Sequence, residues 1–142
     1  MAKQLNIFVE NRPGRVKTVS KILADNKINI RAFTIQDRGN FGVIKLIVDK
    51  PHQAYLVVAE KGLACALKDI VAVSIKDQPG NLHKLTTVLA DNQVNISDMY
   101  GFVIEPDNQG VCCIEAEQPD RVIDLVEKAG FTVLKEEELY EL

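Results

Sequence analysis

The stretch PGRVKTVSKILADNKINI, residues 13–30, returns 66 positions later as PGNLHKLTTVLADNQVNI, residues 79–96. Eight of the eighteen aligned positions are identical, and most of the others exchange one residue for a similar one. The correspondence resumes after a two-residue insertion, where Pro51 aligns with Pro119. The chain therefore contains one small unit written twice, and its function must be one that a pair of such units can perform.

The hydrophobic pattern of each copy predicts the element order βαββαβ. In the first copy, alternating apolar residues over 5–9 predict a strand, and aliphatic spacing over 16–23 predicts an amphipathic helix that ends near Asn26. The other predicted elements of this copy are strands over 30–36 and 41–48, a helix from Pro51 and a short strand over 63–67. The second copy predicts strands over 71–75, 96–104, 111–116 and 131–134, with helices over 82–89 and from Pro119. The acidic run Glu136-Glu137-Glu138 is expected to be a solvated tail.

This order predicts an α+β fold class. Right-handed crossovers make each copy a four-stranded antiparallel sheet with two helices on one face, the ferredoxin-like arrangement. We expect two such domains, residues 1–68 and 69–142, packed side by side, because no Gly/Ser linker separates them. Units of about 70 residues are near the lower limit for a self-sufficient core. Each domain should therefore pack against its twin or against another chain, and the edge strands of both copies favour a homo-oligomer, most simply a dimer.

Composition restricts the function classes. The chain is 46% hydrophobic and 26% charged, with a formal net charge of −3 and no basic cluster, which argues against a nucleic-acid partner. No signal pattern or long apolar run is present, so we expect a cytoplasmic protein without a membrane partner. The odd number of cysteines, three, favours reduced thiols in such a compartment.

The residues that usually carry catalysis or bind metals are scattered. Cys112 and Cys113 are adjacent and point to opposite faces of a predicted strand, so they cannot chelate one metal together there. His52 and His83 have no partners at ligand spacing. We therefore expect no metal, no cofactor and no catalytic residues.

The candidate binding site is the turn at the start of each copy. A strand that ends in Pro-Gly and passes directly into a helix leaves the first N–H groups of the helix free to bind a small anion, such as an amino-acid carboxylate. Asp77, by its charge, and Asn11, by its amide oxygen, are candidates to hold the ammonium group. Asn29 and Asn95 add amides that both donate and accept. The alternative is purely structural, since Pro-Gly and Asn are common turn residues.

Residues 10–30 and 76–96 each resemble the opening of an ACT domain, a small amino-acid-sensing regulatory module. The family pattern is a polar turn with Pro-Gly, a helix with spaced aliphatic residues, and Asn-Ile at the start of a strand. The resemblance implies that a free amino acid binds at the interface between paired ACT domains, without catalysis. The ligand-binding residues that it implies are Asn11, Arg12, Pro13, Gly14, Arg15, Asn29 and Ile30 in the first copy, and Asp77, Gln78, Pro79, Gly80, Asn81, Leu82, Asn95 and Ile96 in the second.

The two candidate sites are not equivalent. Asn11 stands where the second copy has Asp77, and Arg15 stands where it has Asn81. Arg12 likewise stands where the second copy has Gln78. These exchanges remove the carboxylate of Asp77 and add two cations, so we expect the Asp77 side to be the better acceptor of an ammonium group.

Two other functions remain open at this point. Residues 9–30 are also similar to the start of the small subunit of acetohydroxyacid synthase, which favours a regulatory subunit of an amino-acid biosynthetic enzyme. That subunit has a different C-terminal part, whereas this chain repeats its first half. An enzyme on the same fold is the third alternative, because fold does not determine function.

Overall fold

The computed structural model describes residues 1–10 and 12–142, and the chain divides into two compact units. The N-terminal unit comprises Lys3–Lys68 with Glu141, and the C-terminal unit comprises Asp69–Tyr140 with Met1–Ala2 and Leu142. Both units combine antiparallel strands with helices in the order βαββαβ. The predicted α+β class is therefore confirmed.

The N-terminal unit is built around its third strand, which pairs with the first and the second. Its elements are β1 (Ala2–Glu10), α1 (Arg15–Asp25), β2 (Ile30–Asp37), β3 (Phe41–Val48), α2 (Pro51–Glu60) and the beginning of β4 (Ala64–Lys76). Strand β3 pairs antiparallel with both β1 and β2, so that Ile44 lies opposite Ile7 on one side and Ile35 on the other. The fixed register places the alternate residues of all three strands on the face that packs against the helices.

The C-terminal unit repeats this plan. Its elements are the remainder of β4, α3 (Asn81–Asp91), β5 (Ile96–Glu105), β6 (Gln109–Ala116), α4 (Pro119–Lys128), β7 (Thr132–Val133) and α5 (Glu136–Tyr140). Strand β6 pairs with β4 and β5, and β7 pairs with the other side of β4. Cys112 lies opposite Val73 on one side and Gly101 on the other, which matches the position of Ile44 in the N-terminal unit.

Each unit has its own hydrophobic core between sheet and helices. Leu23 of α1 and Leu89 of α3 occupy matching positions and are almost completely buried. The buried core of the N-terminal unit includes Leu5, Ile7, Val19, Leu46, Ala54 and Val58. That of the C-terminal unit includes Val71, Val73, Leu85, Ile114, Val122 and Val126.

Two details of the sequence-based prediction are wrong. The strands predicted over 63–67 and 71–75 are one strand, β4, because the residues between them include neither glycine nor proline to end it. The predicted solvated tail begins helix α5, in which Leu139 and Tyr140 are buried. The Glu138 carboxylate accepts the Lys135 N–H at 2.7 Å, which caps the N-terminus of this short helix.

Within the part of the chain that the structure describes, no helix has the length and apolar character needed to cross a membrane.

Candidate functional site

The two strand-to-helix turns have nearly identical backbones. Gly14 precedes α1 with φ 89° and ψ −8°, and Gly80 precedes α3 with φ 90° and ψ −16°. This left-handed conformation costs other residues roughly 1–2 kcal/mol, which explains glycine at both positions. Neither helix has a side-chain cap among the described residues, and a Cβ added at either glycine would meet nothing within 4 Å. The backbone at both turns is therefore accessible to a small molecule.

Hydrogen bonds hold the turn of the C-terminal unit in place. The Asn81 side chain donates to the Lys76 carbonyl at 2.9 Å, and the Gln78 N–H donates to the same carbonyl at 2.8 Å. The Asp77 carboxylate accepts the Asp107 N–H at 2.9 Å, which links this turn to the turn between β5 and β6. A carboxylate has about four acceptor positions, so this bond leaves Asp77 able to accept a hydrogen bond from a ligand.

A cavity of about 270 Å³ lies beside this turn within the C-terminal unit. Its polar lining residues are Lys76, Asp77 and Gln78, which belong to the turn. Its apolar lining residues include Ile75, Leu82, Val103 and Cys112. Burial raises the pKa of the Cys112 thiol, so this side chain stays neutral and contributes to the apolar wall. The cavity therefore combines a charged rim with an apolar interior.

Two glycines of the β5–β6 hairpin, Gly101 and Gly110, also line this cavity, and neither is among the site residues predicted from the sequence. A Cβ at Gly101 would stand 3.2 Å from the Val111 carbonyl oxygen and 3.7 Å from Cys112 Sγ, and one at Gly110 would stand 3.3 Å from the Phe102 carbonyl oxygen. A glycine inside a strand often marks a place where a ligand or another backbone approaches closely. That signal was present in the sequence.

The turn of the N-terminal unit is organised by ion pairs. The Glu10 carboxylate lies 3.1 Å from Arg12 Nε and 3.4 Å from Arg15 Nη2. Arg15 Nε is buried and has no hydrogen-bond partner in the described part of the chain. The depression at this turn, about 320 Å³, is lined by residues of the turn and the first helical turn: Arg12, Pro13, Gly14, Arg15 and Thr18. Asn11, also predicted as a site residue, lies outside the described residues.

The Asn-Ile pairs lie at the start of the second strand of each unit, away from the turns. The Asn29 N–H donates to Asp49 Oδ1 at 2.9 Å, and Ile30 packs on the core. Asn95 lines a separate cavity of about 230 Å³ next to the N-terminus of α4, while Ile96 packs on its own core. Within a unit, the structure brings Asp77, Gln78 and Leu82 together but does not bring the Asn-Ile pair to them.

No cluster of three or more histidine, cysteine, aspartate or glutamate side chains suited to metal binding occurs among the residues the structure describes. The paired side chains at the two turns are carboxylates, guanidinium groups and amides, which suit ligand recognition by charge and hydrogen bonding.

Comparison with known proteins identifies the class. The model of the ACT domain pair family matches residues 1–142, and the chain belongs to this family, whose domains are regulatory modules. This confirms the resemblance inferred from the two repeated stretches. No curated protein matches the chain significantly.

Among solved structures, the chain is similar to a protein from Bacteroides thetaiotaomicron, with 33% sequence identity, a TM-score of 0.92, and coverage of 99% of this chain and 96% of that one. It also resembles the regulatory subunit of aspartate kinase from Thermus thermophilus, with 21% identity, a TM-score of 0.65, and coverage of 89% and 91%. The corresponding subunit from Thermus flavus gives 19% identity, a TM-score of 0.59, and coverage of 90% and 92%. At these identities the two aspartate kinase subunits show the fold alone.

Proposed function

We propose that this chain is a non-catalytic regulatory protein that binds a free amino acid at the turn before α3. The observation that carries the proposal is the cavity with Asp77 at its rim, beside a helix N-terminus without a side-chain cap. The helix N-terminus favours the ligand carboxylate through its dipole and N–H groups. The Asp77 carboxylate favours the ligand ammonium group by charge-assisted hydrogen bonding.

The ligand in this proposal lies at an interface between ACT domains, and the domain that covers it belongs to a second copy of the chain. Two large apolar side chains at the cavity support a covered site, because Leu82 is 51% exposed and Val103 is 54% exposed in the single chain. A ligand that contacts two chains stabilises the arrangement in which both halves of its site are present. Regulation would then be a change in how copies pair, sensed by a partner in the cytoplasm.

The turn before α1 is the weaker site in this proposal. Its Glu10 carboxylate is already paired with Arg12 and Arg15, so the side chains that bear charge there are engaged with one another. Two cations also disfavour an ammonium group at this turn. The remaining predicted residues, including Asn29 and Asn95, are candidates to contact a ligand bound by a neighbouring domain.

Thermal unfolding in the presence of each standard amino acid tests the proposal. A ligand at a hundredfold excess over its Kd stabilises the folded state by about 2.7 kcal/mol, which raises the Tm by several degrees. We expect at least one amino acid to do so, with isothermal titration calorimetry confirming direct binding. If none raises the Tm and none gives heat of binding, the proposed function is wrong.

The second candidate is a regulatory subunit of an amino-acid biosynthetic enzyme. Exposed apolar side chains on β2 of the N-terminal unit, Phe33 and Ile35, favour a surface that another protein covers. Two proteins of similar fold, from Thermus thermophilus and Thermus flavus, are regulatory subunits of aspartate kinase. Affinity purification from the native cell distinguishes the two: a catalytic chain recovered in stoichiometric amount supports the subunit, and a homo-oligomer supports the free-standing sensor.

A further inference from the structure

The two units differ at matching positions of their sheets. In the N-terminal unit, Ile35 of β2 lies opposite Ile44 of β3. In the C-terminal unit, Gly101 of β5 lies opposite Cys112 of β6. Ile44 and Cys112 occupy equivalent positions, because Ile44 pairs with Ile7 of β1 and Cys112 pairs with Val73 of β4. The N-terminal unit therefore has two isoleucines at the positions where the C-terminal unit has a cysteine and a glycine.

A second pair of positions differs in charge. Asp37 lies opposite Gly42 in the N-terminal unit, and Val103 lies opposite Gly110 in the C-terminal unit. The Asp37 carboxylate accepts the Gly39 N–H at 2.8 Å within its own turn. The same place beside the strand-to-helix turn is therefore acidic in one unit and apolar in the other.

The cavity in the C-terminal unit and the depression in the N-terminal unit differ in which residues line them. In the C-terminal unit, Gly101, Val103 and Cys112 all line it together with the turn residues. In the N-terminal unit, the described residues that line the depression belong only to the turn and the first turn of α1. The space at the C-terminal unit thus reaches from the charged rim down to the sheet.

We infer that the ligand of the C-terminal unit is an amino acid with an apolar side chain, and that Gly101 is the residue that determines this specificity by leaving room for the side chain. The inference rests on the proposed function. The charged groups at the rim suit the ammonium and carboxylate of the ligand, and the apolar interior suits its side chain. At about 270 Å³ the cavity has room for a ligand of amino-acid size, and its apolar lining favours a side chain such as that of valine, leucine or isoleucine.

The inference also determines stoichiometry. In the N-terminal unit a branched side chain, Ile35, stands at the position of Gly101, and the carboxylate of Asp37 stands at the position of Val103 and disfavours an apolar group there. Each chain therefore binds one apolar amino acid, at its C-terminal unit.

Isothermal titration calorimetry of the full chain with leucine, valine, alanine, aspartate and lysine tests both statements. Leucine should bind best with one site per chain, and each methylene removed from the ligand should weaken binding roughly fourfold. Gly101→Ile places in the cavity the side chain that the N-terminal unit carries, so leucine affinity should fall roughly tenfold or more. Ile35→Gly, the matched control in the other unit, should leave leucine affinity unchanged.

Gly101→Ala serves if Gly101→Ile fails to fold, as judged by circular dichroism. Its Cβ needs the Val111 carbonyl to move by only a few tenths of an ångström, and it should lower affinity for leucine more than for alanine. Tighter binding of aspartate or lysine than of leucine overturns the inference and leaves the proposed function standing, as does unchanged leucine affinity in the Gly101 variants. If the wild-type chain binds no amino acid at all, the proposed function itself fails.

Discussion

The turns before α1 and α3 share a backbone and differ in their side chains. The φ angles of Gly14 and Gly80 agree within a degree, yet Glu10 pairs with arginines in one turn while Asp77 binds a backbone N–H in the other. The common backbone is what the fold needs, since a duplicated strand-to-helix corner repeats its geometry. The side chains are what a ligand recognises. An accessible helix N-terminus therefore does not make the two turns equal sites.

The same contrast extends from the turns to the sheet. Both units bury a leucine at the same place in the first helix, whereas only the C-terminal unit replaces an isoleucine of the hairpin by glycine. The cores are alike and the spaces beside the turns are not. Three pairs of variants separate the contribution of the cores from that of the turns and the spaces beside them.

The largest expected effect tests whether the two hydrophobic cores contribute equally to the stability of the chain. Leu23 and Leu89 are 0% and 1% exposed, so Leu23→Ala and Leu89→Ala should each lower the free energy of unfolding by about 2–5 kcal/mol through lost burial and a cavity. Urea titration followed by circular dichroism measures both. Leu56→Ala, at a position 64% exposed on α2, is the control and should change stability by less than about 0.5 kcal/mol. A loss confined to one unit would show that the two cores do not contribute equally.

The next largest effect separates the role of each glycine in the stability of the turn from its role in ligand binding. Gly14→Val and Gly80→Val both force a branched residue into the left-handed region, so each should destabilise the chain by roughly 1–2 kcal/mol. Only Gly80→Val should also weaken the stabilisation by the bound amino acid, because it places a side chain beside the ligand carboxylate. Thermal unfolding with and without ligand measures both quantities. Equal loss of ligand response in the two variants contradicts the preference for the C-terminal unit.

Most of the fold follows from the sequence because it depends on local patterns. Aliphatic spacing predicts α1 and α3, and Pro51 and Pro119 mark the starts of α2 and α4. The continuity of β4 was missed because a strand of thirteen residues serving both repeats has no local signature. Helix α5 was missed because its five residues carry too little pattern, and its cap depends on the contact of Glu138 with Lys135.

The residues of the candidate site also divide into those that local sequence patterns predict and those that depend on strand pairing. The turn residues Asp77 and Gly80 were predicted because a strand, Pro-Gly and a helix follow one another directly in the sequence. The far wall was not predicted, because the approach of Gly101 to the turn depends on the pairing of β5 with β6 and of β6 with β4. Register of this kind is a tertiary property, although alignment of the two copies places Gly101 against Ile35 and offers a hint.

The smallest expected effect separates the two roles of Asp77. Its carboxylate accepts the Asp107 N–H at 2.9 Å, so Asp77→Ala should cost about 1 kcal/mol of stability by removing this acceptor. Asp77→Asn keeps an acceptor oxygen and removes only the charge, so its stability should stay close to that of the wild type. If the carboxylate binds the ligand ammonium group, both variants should lose the rise in Tm caused by the amino acid. An Asp77→Asn chain that responds to ligand as the wild type does would leave Asp77 a purely structural role, and the charge difference between the two turns would then have no part in ligand choice.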